Sequence, residues 1–431
     1  MRGELGARRR RGRAAAAAAA LVVAAVAVAA YLVVGRTSSG LRAVSQPFAP
    51  RPSRPVPGIG AVRYGLDSWR AASTYGAYSY LIVSLDLAAR AAREPGRSLV
   101  YFAGTDVNTN WNTGVPYAQA RRHGWLLKGR DGDLLVNQGY PANYVGDVGD
   151  PAYQRAWLAN VTRLLRAYGD DGVFIDDVIP DLEPLAGTEA AKYPNARAWA
   201  AAELSFVRAV GNGLRARGYY VLVNASAFTR GSPESDDGTT TLRWWRRLAP
   251  YVSGLTNEFY EQTSDGRNTL RASGSAWNQA WDGWARLQET AQALGKDFVG
   301  LAYGPRGDAR RMSYGRASFL LEWDGRGGAY IYQPTSGVDP WDGAWTTDIG
   351  LPKAPKRRLG NGWLRRYSRG VALVNPDGSK SQRFTLGGAY LAPDGRVVSE
   401  VTLPPTTGLI LPAATVTDVA AAQAASSTGR N

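Results

Sequence analysis

Short apolar runs rich in β-branched and aromatic residues alternate along the chain with longer stretches of helical periodicity. The strand-like runs are AVRYGL (61–66), YLIVSL (80–85), SLVYFAG (98–104), GVFIDDV (172–178), YYVLVN (219–224), GLTNEFY (254–260), FVGLAY (298–303) and GAYIYQ (328–333). Helical patterns cover 86–94, 151–168, 193–217, 238–248, 277–295 and 308–323. Buried strands separated by helices are the pattern of a parallel sheet, and eight strands are the number that closes one into a barrel. The pattern therefore predicts an α/β fold, a (β/α)8 TIM barrel over residues 61–350. A doubly wound open sheet is the alternative, disfavoured because no G-x-G-x-x-G follows the first run.

The pattern changes on either side of the barrel and once within it. Residues 105–150 form a long connection rich in Asn, Gly, Asp and Trp, and loops of that length are usually functional. After the linker-like LPKAPKRR (351–358), apolar and polar residues alternate up to 412, with Pro-Asp-Gly turns at 376–378 and 393–395. Residues 351–412 thus read as a small antiparallel β-sandwich domain, and the Ala-, Ser- and Thr-rich 413–431 as a disordered tail. At the other end, a basic segment (1–13, with Arg8–Arg11 and Arg13) precedes an unbroken apolar run, Ala14–Val34. As a helix the run would span about 32 Å, enough for a hydrocarbon core of about 30 Å. Arginines before the run keep the N-terminus cytoplasmic, so 14–34 reads as a transmembrane signal-anchor at the cell membrane with the catalytic domain outside. A cleaved signal peptide ending near Ala27-Val28-Ala29, which would release a secreted protein, is the alternative. Residues 35–60, carrying Pro and Ser, read as a linker.

Charge and composition narrow the chemistry. The net charge of +15 is uneven: +10 over residues 1–63, +7 over 353–431 and −2 over 64–352. A near-neutral body with basic ends does not suit a nucleic-acid channel and fits a neutral or cationic substrate better than an anionic one. With no Cys, the chain has no disulfide, thiolate metal site or thiol nucleophile, and a single His123 cannot furnish the imidazoles of a zinc hydrolase. No G-x-S-x-G elbow accompanies His123, which reads as structural beside Trp125. Carboxylates remain, and no metal or cofactor is expected.

Barrel active sites lie at the C-terminal ends of the strands. Those ends offer Asp67 and Trp69, Asp106, Asp176 and Asp177, Asn224, Glu258, Tyr303 and Tyr332. Asp176 and Asp177 directly follow a buried run; by strand alternation they point to opposite sides, so one of them faces the site. Capping of the next segment is the structural reading of Asp177. Glu258 interrupts a strand-like run, where a lone carboxylate is costly to bury, although an arginine partner would make it structural. Glycoside hydrolysis needs two carboxyl groups. Asp176 as nucleophile or base and Glu258 as general acid are the simplest pair, with Asp177 as fallback for the first role. Asp67, Trp69, Asp106, Trp111, Asn224, Tyr303 and Tyr332 are the candidate substrate-binding residues, Trp111 and Trp69 as flat surfaces for sugar rings. Asn224 could equally cap the segment that follows it, and Trp277, Trp281 and Trp284 share the helical spacing of a core stripe.

GVFIDDV, YYVLVNAS and GLTNEFYE in that order, with GWLLKGRDGDLL (124–135), DVGDPAYQRAW (147–157) and the terminal LVNP…LPPTTGLIL, resemble the barrel-type enzymes called hypothetical glycosyl hydrolase family 15. A more distant similarity is to endo-α-1,4-polygalactosaminidase barrels. The resemblance spans about residues 62–412 and implies a carbohydrate-active barrel with acids on strands four and six, acting on a polysaccharide or oligosaccharide. The reading from another class is a catalytically inactive, carbohydrate-binding barrel serving as a cell-envelope scaffold, since fold does not fix function.

Overall fold

The computed structural model describes residues 54–65, 75–225, 239–263, 269–274, 280–337, 341 and 343–421. Eight parallel strands close a barrel: β1 (Val56–Arg63), β2 (Tyr78–Val83), β3 (Arg97–Ala103), β7 (Gly172–Asp176), β8 (Tyr220–Asn224), β9 (Gly254–Glu258), β10 (Asp297–Gly304) and β11 (Ala329–Pro334). Every neighbouring pair is parallel, and β1 closes the ring by pairing with both β2 and β11. Alternation then sorts the side chains. Val62, Ile82, Leu99, Phe174, Leu222, Leu301 and Ile331 fill the lumen, while Val83, Phe102, Ile175, Val223, Leu255 and Tyr330 join the core on the helical side.

The helices fall close to the periodic stretches. They are α1 (Pro151–Tyr168), α2 (Ala196–Arg215), α3 (Thr239–Leu248), α4 (Trp281–Ala293) and α5 (Ala309–Glu322), with a single turn at Ala88–Ala91 where 86–94 predicts a longer helix. Asp150 caps α1 by accepting from the Ala152 amide at 2.6 Å, Pro151 fits its first turn, and Gly169 ends it at φ 83°. The 105–150 connection carries its own sheet, β4 (Asp106–Asn108), β5 (Val136–Asn137) and β6 (Tyr140–Val145), in the order β4-β6-β5.

Beyond the barrel, β12 (Arg357–Leu359), β13 (Gly362–Tyr367), β14 (Gly370–Asn375) and β17 (Thr407–Pro412) form an antiparallel sheet, and β15 (Gln382–Leu391) pairs with β16 (Val397–Leu403). Leu364, Val371, Leu373 and Leu411 of the first sheet meet Phe384, Leu386 and Leu403 of the second. The opposite face, through Ala372, Val374 and Ile410, merges with the barrel's outer core. Helix α5 lies between barrel and sheet and is buried almost all round from Met312 to Glu322, with Arg316 and Glu322 enclosed among its apolar and small residues.

Several expectations are corrected. The first strand begins at Val56, inside the stretch expected to be linker: Val56 and Ile59 are buried, and a side chain at Gly60 would meet Ile331 at 2.9 Å. These Pro and Gly residues serve close packing rather than flexibility. The expected tail contains a helical turn at 416–421, opened by a capping box in which the Asp418 carboxylate accepts from the Thr415 amide at 2.8 Å. Among the described residues no helix is long and apolar enough to cross a membrane. The apolar run 14–34 lies outside the described residues, as do Asp67, Trp69 and Trp277.

Candidate active site

Strands β7, β8 and β9 end side by side, and each delivers one polar side chain to the barrel mouth. Asp176 continues the inward parity of Phe174, Asn224 that of Leu222, and Glu258 closes β9. Asn224 Nδ2 donates to Asp176 Oδ1 at 2.8 Å and to Glu258 Oε2 at 2.6 Å. One NH2 group therefore spans the two acids, and their facing oxygens can be no farther apart than these two bonds laid end to end. Each acid also holds a tyrosine: Tyr101 OH donates to Asp176 Oδ2 at 2.8 Å, and Tyr303 OH to Glu258 Oε1 at 2.6 Å. Asp176 accepts a third bond, from the Asp177 amide at 3.0 Å.

The environment separates the two carboxyls. Burial pushes both upward, but in Asp176 the donors Tyr101, Asn224 and the Asp177 amide oppose it. Glu258 is raised by burial and by the charge of Asp176 to about 7, against the bonds from Tyr303 and Asn224. The more fully hydrogen-bonded Asp176 is the better anion, and Glu258 the better proton carrier at neutral pH.

Asp177 departs from strand geometry. Its φ is 56°, in the left-handed region, and Thr105 Oγ1 donates to its carbonyl at 2.7 Å. The turn ends β7 two residues before the apolar run does and breaks the alternation that would send the Asp177 side chain away. Asp177 is half-buried, and burial together with the charges of Asp176, Asp106 and Glu258 holds its carboxyl well above the usual range. Both aspartates thus belong to the mouth, where alternation alone expects one.

Asp106 sits at the start of β4, buried, and accepts from Asn137 Nδ2 at 2.9 Å and Asn143 Nδ2 at 2.6 Å; burial raises it to about 6. It anchors the small sheet over the mouth. Asn143 accepts from Asn108, whose own Oδ1 accepts from the amide of Trp111 at 3.1 Å. The chain of amides presents the Trp111 ring, 45% exposed and 5.7 Å from Tyr101, beside Asp176.

One expected binding residue is placed otherwise. Tyr332 faces the helical layer, 1% exposed, its OH donating to Pro305 O at 2.8 Å: β11 alternates, and Ile331 has the inward position. Asn224 lies in the mouth as expected, both its amide hydrogens taken by the acids and its Oδ1 without a protein partner. Asp147 accepts from Lys192 and Tyr193, a structural arrangement, and His123 stacks on Trp125 at 4.6 Å. Three tyrosines complete the mouth that periodicity alone does not single out. Tyr101 has the inward parity of Leu99. Tyr64, 49% exposed directly after β1, has its ring 5.4 Å from that of Tyr101. Tyr140 opens β6, where burial and then the charges of Asp177, Glu258 and Asp176 raise its phenol. A polar-tipped aromatic at the C-terminal end of a barrel strand was the available signal for the first two. Tyr140 had none, since its position depends on how the long connection folds.

No curated protein matches the sequence. Among solved structures, the glycoside hydrolase domain of PelA from Pseudomonas aeruginosa aligns at 14% identity over 65% of this chain and 95% of that one, with a TM-score of 0.39. A maltogenic α-amylase, AmyB from Thermotoga neapolitana, aligns at 8% identity over 83% and 98%, with a TM-score of 0.48. Ega3 from Aspergillus fumigatus, solved in complex with galactosamine, aligns at 13% identity over 69% and 98%, with a TM-score of 0.39. The model of hypothetical glycosyl hydrolase family 15 matches residues 101–371, which takes in β3 to β11, both mouth acids and the start of the C-terminal sheet. That span is well over half of the chain, and the chain belongs to this glycosyl hydrolase family.

Proposed function

We propose that the protein hydrolyses O-glycosidic bonds of a polysaccharide outside the cytoplasm, tethered to the membrane by residues 14–34, with Asp176 and Glu258 as its two working carboxyls. The observation that carries this reading is the single Asn224 nitrogen bonded to both acids. Glycosidases that retain configuration hold their carboxyls about 5–5.5 Å apart, whereas those that invert leave about 6.5–9.5 Å for a water. A bridge of one nitrogen supports the shorter spacing, so Asp176 attacks the anomeric carbon while Glu258 gives its proton to the leaving oxygen. Water, deprotonated by Glu258, then attacks the anomeric carbon, breaks its bond to Asp176 and frees the sugar. Trp111 and Tyr64 offer rings against which a sugar face stacks.

On a substrate found by screening polysaccharides, Asp176→Asn and Glu258→Gln should each lower turnover by about 10² or more. Sugar binding should survive in both, because the aromatic rings remain. NMR of the first-formed product should show the anomer of the substrate. Near-native turnover in both variants would make the acids structural and the barrel a binding scaffold; an inverted product would leave the pair but remove the covalent step.

A further inference from the structure

On the outside of the barrel, helix α1 and the end of α2 enclose an open groove of ≈ 470 Å³ lined by Arg155, Arg163, Arg166, Arg217, Leu158 and Thr162, with Ala159 between them. The four arginines are exposed, and among the described residues no carboxylate pairs with any of them. The helices give a reason. Between Pro151 and Gly169 there is no Asp or Glu, and the one acid of α2, Glu203, is fully buried toward the core. Like charges crowded on one helical face are mutually repulsive and, on grounds of stability alone, unfavourable. Thr162 lies between them in the lining, but its hydroxyl is shut off from solvent, so the surface the groove offers is the arginines' own.

We propose that this groove binds a linear polyanion, its phosphate or carboxylate groups held by the arginine forks. Guanidinium matches both oxyanions in bidentate geometry. From Arg155 to Arg166 the helix rises about 16 Å, more than one oxyanion fills, and no wall closes the groove; both features suit a chain rather than a single ion. Concavity also suits a threaded polymer better than a flat lipid surface. The polyanion is not the substrate. The mouth gathers Asp176, Asp177 and Glu258, with Asp176 the ionised acid of the proposed mechanism, and so disfavours a polyanion. The groove instead holds the protein on an anionic matrix while the mouth works on another glycan.

The test titrates the full-length chain with a short-chain polyphosphate, with polygalacturonate and with neutral dextran over a range of salt. Both polyanions should bind and dextran should not, and affinity should fall steeply with salt. The double variant R163Q/R166Q should lower the salt slope by about one per arginine removed. Failure of both polymers to bind overturns the proposal. So does an affinity indifferent to R163Q/R166Q.

Discussion

Asn224 has two amide hydrogens on one nitrogen and spends both on carboxylates, so its effect on catalysis is exerted through their proton affinities. Each bond favours the ionised acid. Removing them in Asn224→Ala should raise both Asp176, the ionised acid of the proposed mechanism, and Glu258, its protonated one. On that mechanism the acidic limb of the kcat/KM profile should follow Asp176 and the basic limb Glu258, whose carboxyl is raised to about 7. Both limbs should therefore move to higher pH in N224A. A loss of rate with both limbs unmoved would reduce Asn224 to packing. The acids themselves were legible in the sequence because a carboxylate at the end of an apolar run is conspicuous. The bridge was not, because Asn224 lies 48 residues from Asp176 and 34 from Glu258, and only closure of the barrel brings the three ends together.

At the scale of the element, the ends of β7 and β9 are set by backbone conformation. Asp177 at φ 56° and Phe259 at φ 59° turn the chain out of the strand while the apolar pattern still continues, which is why GVFIDDV and GLTNEFY read two residues too long. Left-handed backbone costs a non-glycine residue roughly 1–2 kcal/mol, and Asp and Asn bear it better than most. At Asp177 a second cost is added by the charges of Asp176, Asp106 and Glu258. Asp177→Asn should keep the turn and lose the repulsion, and Asp177→Gly should lose both costs. Thermal unfolding at pH 7–8 should show N and G variants at or above the parent by roughly 1 kcal/mol. Turnover of D177N should remain far above that of D176N. Two destabilised variants would mean that the carboxylate holds a structural partner. Abolished turnover in D177N alone would move the first catalytic role by one residue. The eight strands and five long helices, by contrast, were readable from periodicity, since each buries a continuous face whose spacing local sequence must supply.

Across the whole molecule, charge is segregated by place. Acids gather at the mouth of a body whose net charge is −2, arginines line the outer groove, and +10 lies in residues 1–63. Composition revealed the basic ends but not the groove, because acids elsewhere in the body cancel its arginines in any count along the chain. The N-terminal charge carries the topological argument. Arg8–Arg11 and Arg13 precede Ala14–Val34, and moving such a cluster across a membrane is opposed, whereas the barrel after the run is free to cross. Protease added to intact cells should therefore digest the barrel and the C-terminal sheets while a tag placed before Arg8 stays protected. The digestion should convert a membrane-bound chain into a short membrane-bound stub. Protection of the C-terminal sheets would reverse the orientation. Recovery of soluble protein lacking 14–34 would identify that run as a cleaved signal, leaving the barrel outside the cell but untethered.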